Sequence, residues 1–432
     1  MTTSLRSERA RLMGPAARIR WGRLIRAERP APDRWVWTLQ AGGQSFTWEV
    51  AEVDLAGRTW RLGDWWLVAL EAPPGVPVAE CLTPTQAWSS DHPWAQASTW
   101  TASTHRWTVL RQVRQFFYDR DYTEVDTPLL VASPGMEPFL DPFETTFAQG
   151  SRRVRVYLPY SPEYGMKKLL TLGWTRIFQI AHAFRNGELS RWHEPEFLLL
   201  EWYRALADYQ AIMTEVEALL VYLTRHQANR VPWDEGTLDL TPPWPRVPFA
   251  EAIRQFTGID IWAYLDDVEG LRRSVETSGL GPMPAGLDWN NAVLWLFISH
   301  VEPRLGRDRP VFIIDYPASM AALARVRETD GVAERFELYV GGLELANGFT
   351  ELTDPVEQAR RFEQEREERI RRGVPPVPVD EAFLESLRLG LPPAGGVALG
   401  IDRLIAFLMS APDVAATLPF PFAHRLALEW AC

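Results

Sequence analysis

The most informative stretch of the 432-residue chain is RIFQIAHAFRNGELSRWHEPEFLLLEWYR, residues 176–204. It reads as strand, polar loop, strand. On the second strand the two-residue period puts Phe197, Leu199, Glu201 and Tyr203 on one face. An aromatic ring, a carboxylate and a phenol together make an odd core and a sensible pocket floor. The loop gathers Arg185, Glu188, Arg191, His193, Glu194 and Glu196. Alone, such a loop is ordinarily a solvated hairpin tip, but three further segments converge with it.

In RFELYVGGLELANGFTEL, residues 335–352, Gly341-Gly342 is a two-residue hairpin signal. That register sets Tyr339 opposite Glu344 and puts Glu337 diagonal to Glu344 on one face. Two carboxylates held so close repel unless a cation joins them, which suggests Mg²⁺; a plain exposed edge is the alternative. Glu351 follows a Gly-Phe-Thr stretch that can bend it toward the same cavity. In GGVALGIDRLIAFL, residues 395–408, a Gly-rich strand enters a helix with Asp402 and Arg403 at the junction. Small residues admit a flat ligand, and an Arg at a helix start can meet a polyphosphate. SPEYGMKKLL, residues 161–170, puts Glu163 in a first helical turn, ordinarily dipole compensation, ahead of the only two lysines, Lys167 and Lys168.

These segments need a scaffold. From about residue 104, Trp107, Leu110, Val113, Phe116 and Phe117 recur at helical spacing, and EVDTPLL then reads as a strand. Helices are expected at 162–172, at 208–226 with Asp208 as cap, and at 355–372, a charged and solvated one. Strands mixed irregularly with helices point to an α+β fold. Residues 15–71 read as about four short strands, a small barrel or meander for which an OB-like module is one candidate. Half of the twenty Trp precede residue 101; they could stack bases, but filling a very small core is the favoured reading. The expected division is a β-rich domain over 1–85, a Pro/Ser/Ala-rich linker over 86–103 and a catalytic domain over 104–432.

The net charge of −11 argues against a broad nucleic-acid grip, although residues 1–34 hold nine Arg against three acids. Cys81 and Cys432 support neither a disulfide framework nor a structural zinc site. No apolar run reaches the roughly 18–20 residues of a membrane span, and the Arg-rich start lacks the apolar core of a signal peptide. A cytoplasmic location is the resulting expectation.

Taken in order, R…FFYDRDYTEVDTPLL, FRNGELSRWHEPEF and GVALGIDRL resemble motifs 1, 2 and 3 of the class II aminoacyl-tRNA synthetases. SPEYGMKKLL and FELYVGGLELANGFTEL narrow the likeness to the lysyl branch. PGMEPFLDPFETTF, VEPRLGRDRPVFIIDYPAS and VAERFELYVGGLELANGF are most similar to the elongation factor P–(R)-β-lysine ligases, a resemblance running from about 104 to the C-terminus.

The resemblance implies a mainly antiparallel sheet flanked by helices, a homodimer through motif 1 near Pro128, and use of ATP with Mg²⁺. By matching position, Arg185 would hold the α-phosphate and Arg403 the γ-phosphate, as the catalytic pair. Adenine would lie between Phe197 and Arg403 with Glu188 at its edge. His193 would stand near the β- and γ-phosphates, and Glu344, Leu345 and Gly400 against the nucleotide. Glu337 and Glu344 would bind Mg²⁺. Ser161, Glu163, Tyr203, Glu351 and Ala398 would form the amino-acid pocket, Glu351 pairing an ε-ammonium. The implied reaction is activation of lysine or (R)-β-lysine as its adenylate, then transfer to a lysine side chain of elongation factor P.

Two other readings stand beside it. A lysyl-tRNA synthetase would use the N-terminal module on the anticodon. A non-catalytic amino-acid sensor would be free to lose Arg185, Arg403, Glu337, Glu344 or Glu351, and all five are present. Against the synthetase pattern, Glu188 stands one place late and Glu194 occupies a common Asn position. Ala398, where lysyl-tRNA synthetases tend to have Gly, fits the β-lysine branch.

Overall fold

The structure, a computed structural model, describes residues 19–31, 34–41, 44–51, 65–69, 79–83, 97–233 and 236–425. It forms two compact units, Met1–Thr104 and His105–Cys432. The division falls inside helix α1 (Ala97–Tyr118). That helix starts within the stretch read from composition as linker; residues 84–96 lie outside the described residues.

The first unit is one antiparallel sheet of β1 (Ile19–Ala31), β2 (Arg34–Ala41), β3 (Gln44–Ala51), β4 (Trp65–Ala69) and β5 (Ala79–Thr83), ordered β3-β2-β1-β4-β5. The long β1 serves two partners. Its start, Ile19–Arg23, pairs with β4 and its remainder with β2, with register shifts after Leu24 and Glu28. The unit is thus a small antiparallel sheet in which the first strand is shared between β2 and β4. Strand β5 lies inside the β-rich domain expected over 1–85, beyond the four strands read over 15–71. Leu24, Trp37 and Leu39 are fully buried, so Trp37 fills core. On the exposed side Arg26 pairs with Glu28 and Arg34 with Glu49.

The second unit is built on eight strands ordered β13-β14-β15-β16-β17-β10-β9-β6. In chain order they are β6 (Thr123–Glu124), β9 (Arg176–Phe184), β10 (Glu196–Ala205), β13 (Arg246–Pro248), β14 (Val311–Pro317), β15 (Val332–Val340), β16 (Leu343–Thr350) and β17 (Ala394–Gly400). Only the outer pairs β6–β9 and β13–β14 are parallel. Two separate hairpins, β7 (Glu144–Gln149) with β8 (Arg152–Tyr157) and β11 (Arg230–Trp233) with β12 (Gly236–Asp239), complete the strands. Of the EVDTPLL stretch only Glu124 falls in a strand, as the second residue of β6; the Val125 amide still donates to Phe178 O at 2.9 Å, and Pro128 has no amide to carry the ladder further.

One face of the large sheet is closed by helices. Phe178, Leu200, Trp202, Phe336, Leu338, Val397 and Leu399 pack against α1, α3 (Tyr209–Thr224) and α9 (Ile401–Met409) in a single apolar cluster. Asp208 caps α3 through Ala211 N, as its position before the helix predicts. A second cluster joins α4 (Phe249–Thr257), α5 (Val268–Thr277) and α6 (Trp289–His300) to β14 and β15. A third joins α2 (Glu163–Thr171), α7 (Pro355–Arg371) and α8 (Glu381–Gly390) around Ile177, Tyr203 and Ala394. The other sheet face is left to carry a cavity. No helix among the described residues is long and apolar enough to cross a membrane.

Candidate active site

Strand register writes the cavity floor. Glu201 of β10 stands between Gln179 of β9 and Ala398 of β17, which in turn faces Asn347 of β16 and, beyond it, Glu337 of β15. The next row runs Ile177, Tyr203, Gly396, Phe349, Arg335. Leu199, Glu201 and Tyr203 therefore share a face, as their spacing predicts, opposite Gly400, Ala398 and Gly396. The middle strand is nearly bare of side chains, so ligand can approach backbone.

Above this floor lies a cavity of about 380 Å³. It is lined by Ser161, Glu163, Arg185, Glu188, His193, Phe197, Tyr203, Glu344, Leu345, Ala398, Gly400 and Arg403, all named from the sequence. Two of the residues named there do not line it. Glu337 lies beneath, bonded to Arg335 Nη2 at 2.6 Å, Tyr339 OH at 2.6 Å and Asn347 Nδ2 at 3.3 Å. Glu351 sits over Gly396, where an added Cβ would meet its Oε1 at 2.3 Å, and its side chain is fully buried.

One end is cationic. The Arg185 guanidinium lies 5.1 Å from the Phe197 ring centroid and 3.6 Å from Glu188, and its Nε is buried with no hydrogen-bond partner. Such an orphaned donor suits an incoming anion. Arg403, at the start of α9, donates to the Glu344 carbonyl at 2.9 Å and to Trp192 O at 3.3 Å. Its Nη2 is 2.6 Å from His193 Nε2, and His193 Nδ1 is 2.8 Å from Ser190 Oγ. Guanidinium can only donate, so Nε2 accepts and the proton sits on Nδ1. Burial and the Arg403 charge lower the His193 pKa below its ordinary value, so the ring is neutral at pH 7.

The Gly341-Gly342 turn forms with Tyr339 opposite Glu344, as expected, but a bulge at Leu345 moves Glu337 opposite Asn347. Both carboxylates keep the cavity side of their strands. Burial, then Glu337, raises the Glu344 pKa. Burial, then Glu344 and Glu337, pushes Glu302 up to about 7. No set of three His, Cys, Asp or Glu among the described residues is arranged to hold a metal by itself. Two crowded carboxylates fit a Mg²⁺ ion whose other ligands come from phosphate and water.

The other end is anionic. Glu137, Glu163, Glu201 and Glu365 line it. Ser161 accepts from the Glu163 amide at 3.0 Å and donates to Glu201, to which Tyr203 OH also donates at 3.0 Å. Burial, then Glu163, pushes Glu201 up to about 8. Lys167, fully buried, sets its Nζ 2.5 Å from Glu163 Oε1 and 2.5 Å from Glu351 Oε2, and lies 5.2 Å from the Phe349 ring centroid. Its two carboxylates raise its pKa against the opposing effect of burial. Sequence reasoning noted Lys167 but missed this bridge; two adjacent lysines in a chain otherwise without them were its only signal. Glu137, Glu365 and Asn347 were missed as well.

The loop residues divide. Arg191 turns away to Pro412 O at 2.6 Å, and Glu196 pairs with His182 and Arg425. Glu194 accepts from the Phe422 amide at 2.8 Å. Beneath the site, Asp402 accepts from Leu198 N at 2.9 Å and pairs with buried Arg106 of α1, which fixes the start of α9 and so Arg403.

A mainly antiparallel sheet carrying an Arg-lined cavity, with a second Arg entering from a helix start, defines a class II synthetase-type domain, and the family model for the class II tRNA synthetases (D, K and N) matches residues 98–424. Among curated relatives, the elongation factor P–(R)-β-lysine ligase of Hamiltonella defensa subsp. Acyrthosiphon pisum is 39% identical over 337 residues, 76% of this chain and 98% of the relative. The proteins of the same name from Salmonella dublin and Salmonella typhimurium are each 38% identical over 336 residues, again 76% and 98% of the two chains. The chain belongs to this ligase family within the class II synthetases and is an ATP-dependent ligase.

Proposed function

We propose that the protein activates lysine or (R)-β-lysine as an aminoacyl-adenylate and transfers it to a lysine side chain of elongation factor P. The observation that carries this reading is the two-signed cavity: arginines and a neutral histidine at one end, four carboxylates at the other. The ammonium already present at the acidic end, Lys167, is shared between Glu163 and Glu351, which leaves Glu201 and Glu365 deeper in the pocket lining without a cation bonded to them. An amino acid with two ammonium groups is the substrate such an excess favours; a buried charge needs an opposite partner.

Arg185 holds the α-phosphate and Arg403 the γ-phosphate, with adenine against Phe197 and its edge at Glu188. Leu345 and Gly400 lie along the nucleotide, and His193 near its outer phosphates. Glu344, backed by Glu337, would hold Mg²⁺, which neutralises phosphate charge when bound. Ser161, Glu163, Tyr203 and Ala398 shape the amino-acid pocket, and Glu351 acts on it through Lys167. The amino-acid carboxylate then attacks the α-phosphorus, and the guanidinium groups stabilise the charge that develops. A homodimer through the region near Pro128 and a cytoplasmic location belong to the same proposal.

The small antiparallel sheet of the first unit favours a second reading, lysyl-tRNA synthetase. Purified protein with ATP, Mg²⁺ and either amino acid is offered elongation factor P and, separately, lysine tRNA. Mass gain on the protein without tRNA charging is expected; charging of tRNA alone would sink the proposal.

A further inference from the structure

Transfer to a lysine side chain sets a chemical task that none of the roles above performs. The acceptor arrives as an ammonium ion, whose nitrogen has no lone pair for attack on a carbonyl, so a base must first remove a proton. Glu137 lies in the loop between β6 and β7 and lines the cavity. It stands among the carboxylates of the anionic end, within electrostatic reach of both Glu163 and Arg185.

Its main chain is tied down and its side chain is left open. Arg369 of α7, 1% exposed, donates Nη1 to the carbonyls of Glu137 at 2.9 Å and Leu140 at 2.8 Å. Tyr160 OH donates to the same Leu140 carbonyl at 2.9 Å. Yet Glu137 Oε2 is buried with no hydrogen-bond partner. It rests over Gly135, where a Cβ would come within 2.4 Å of it, so the glycine makes room for the carboxylate. A buried acceptor without a donor is costly to maintain and calls for a ligand that donates. Of the neighbouring carboxylates, Glu163 is committed to Lys167 and Glu201 to Ser161 and Tyr203; burial pushes Glu365 up to about 8, so it is protonated at neutral pH, and Glu351, which also keeps an unpaired oxygen, does not line the cavity.

We propose that Glu137 is the general base of the transfer step, taking a proton on Oε2 from the ε-ammonium of the acceptor lysine; this rests on the acceptor reading given above. The freed lone pair forms the C–N bond to the adenylate's carbonyl carbon. The bond from that carbon to the phosphate oxygen breaks, and AMP leaves with its electron pair. The second N–H proton passes to a released phosphate oxygen, leaving a neutral amide.

The groups facing Glu137 are Glu163 on α2, Arg185 at the end of β9, Glu365 and Arg369 on α7, and the phenols of Tyr160 and Tyr164. Burial raises its pKa to about 6, opposed by its own backbone amide and both arginines and helped by Glu163. It is thus ionised at neutral pH and a stronger base than an exposed glutamate.

The two half-reactions separate the outcomes. ATP–pyrophosphate exchange by the full chain reads activation alone, and single-turnover transfer from preformed adenylate to elongation factor P, followed by mass, reads the second step. For Glu137→Gln, transfer is expected to slow by ~100-fold or more, and exchange measured at saturating amino acid by a far smaller factor. The deficit should shrink as rising pH deprotonates the acceptor amine directly. Trapping of the adenylate by hydroxylamine, already unprotonated at neutral pH, should be unchanged, and Glu137→Asp should recover part of the transfer rate. Transfer by E137Q at the wild-type rate would overturn the proposal, as would equal losses of exchange and transfer, which mark a structural role. A wild-type enzyme that yields hydroxylamine-trapped product but never modifies elongation factor P would overturn the acceptor reading instead, and this proposal with it.

Discussion

Replacing Lys167 by methionine keeps the length of a fully buried side chain and deletes the charge between two carboxylates, each 2.5 Å away. Removing one partner of a buried pair costs about 3–5 kcal/mol, because the other charge stays behind. Glu351 has one way of relieving that cost: it can take up a proton. Burial already pushes it up to about 8, with Lys167 pulling the other way. Without Lys167 its folded pKa rises further, while the unfolded value stays near ~4.3. A carboxyl raised on folding contributes stability below its unfolded pKa and loses it as pH climbs to the folded one. In wild type that loss ends near pH 8; in Lys167→Met it continues beyond. The stability gap between the two proteins should therefore be flat below pH 8 and widen above it by up to ~1.4 kcal/mol per unit. Urea titrations at pH 7, 8 and 9 measure it, and adding Glu351→Gln should remove the widening. A gap under ~1 kcal/mol at every pH, or one that does not grow from 8 to 9, would refute the role given to this bridge.

Arg106→Met strands Asp402 with only the Leu198 amide and should cost about 3–5 kcal/mol in urea titration; unchanged stability would remove this pair from the supports of α9. Gly396→Ala puts a Cβ 2.3 Å from Glu351 Oε1 and 2.4 Å from the Tyr203 ring, so KM for the amino acid in exchange should rise ~10-fold or more with that for ATP little changed. Arg185→Ala removes the guanidinium with the orphaned Nε, and exchange should fall ~10²–10³-fold; unaltered exchange would take Arg185 off the α-phosphate. Ala398→Gly, beside Glu201 on the floor, should shift the kcat/KM ratio of lysine to (R)-β-lysine by roughly 10-fold. A constant ratio would move specificity elsewhere.

What could be read from sequence was what is local. The face shared by Leu199, Glu201 and Tyr203 follows from a two-residue period, and the Gly341-Gly342 turn from the φ of +62° and +79° that glycine tolerates. The bulge at Leu345 was not legible, because a bulge balances packing on both faces at once. The first turns of α1 sit in Pro/Ser/Ala-rich sequence read as linker, where composition outweighs periodicity. The Lys167–Glu351 bridge and the Arg106–Asp402 pair, the latter 296 residues apart, depend on which strands become neighbours. No window of sequence contains that information. Glu137 was hidden differently: it lies in an irregular loop, and its significance is an absent partner, which only coordinates reveal.

The bare strand β17 has a consequence for inhibition. A compound that grips side chains can be evaded by exchanging them, but here the floor is main chain at Gly396 and Gly400. A side chain added at Gly396 would strike Glu351 and Tyr203, and one at Gly348 of the adjoining strand would strike the Gly396 carbonyl, Phe336 and Val397. A ligand whose tightest contacts are with the floor at Gly396 would therefore leave resistance mutations little to use there, since a side chain that repels it also spoils the pocket, whereas at Gly400 an added Cβ meets nothing nearer than 3.7 Å.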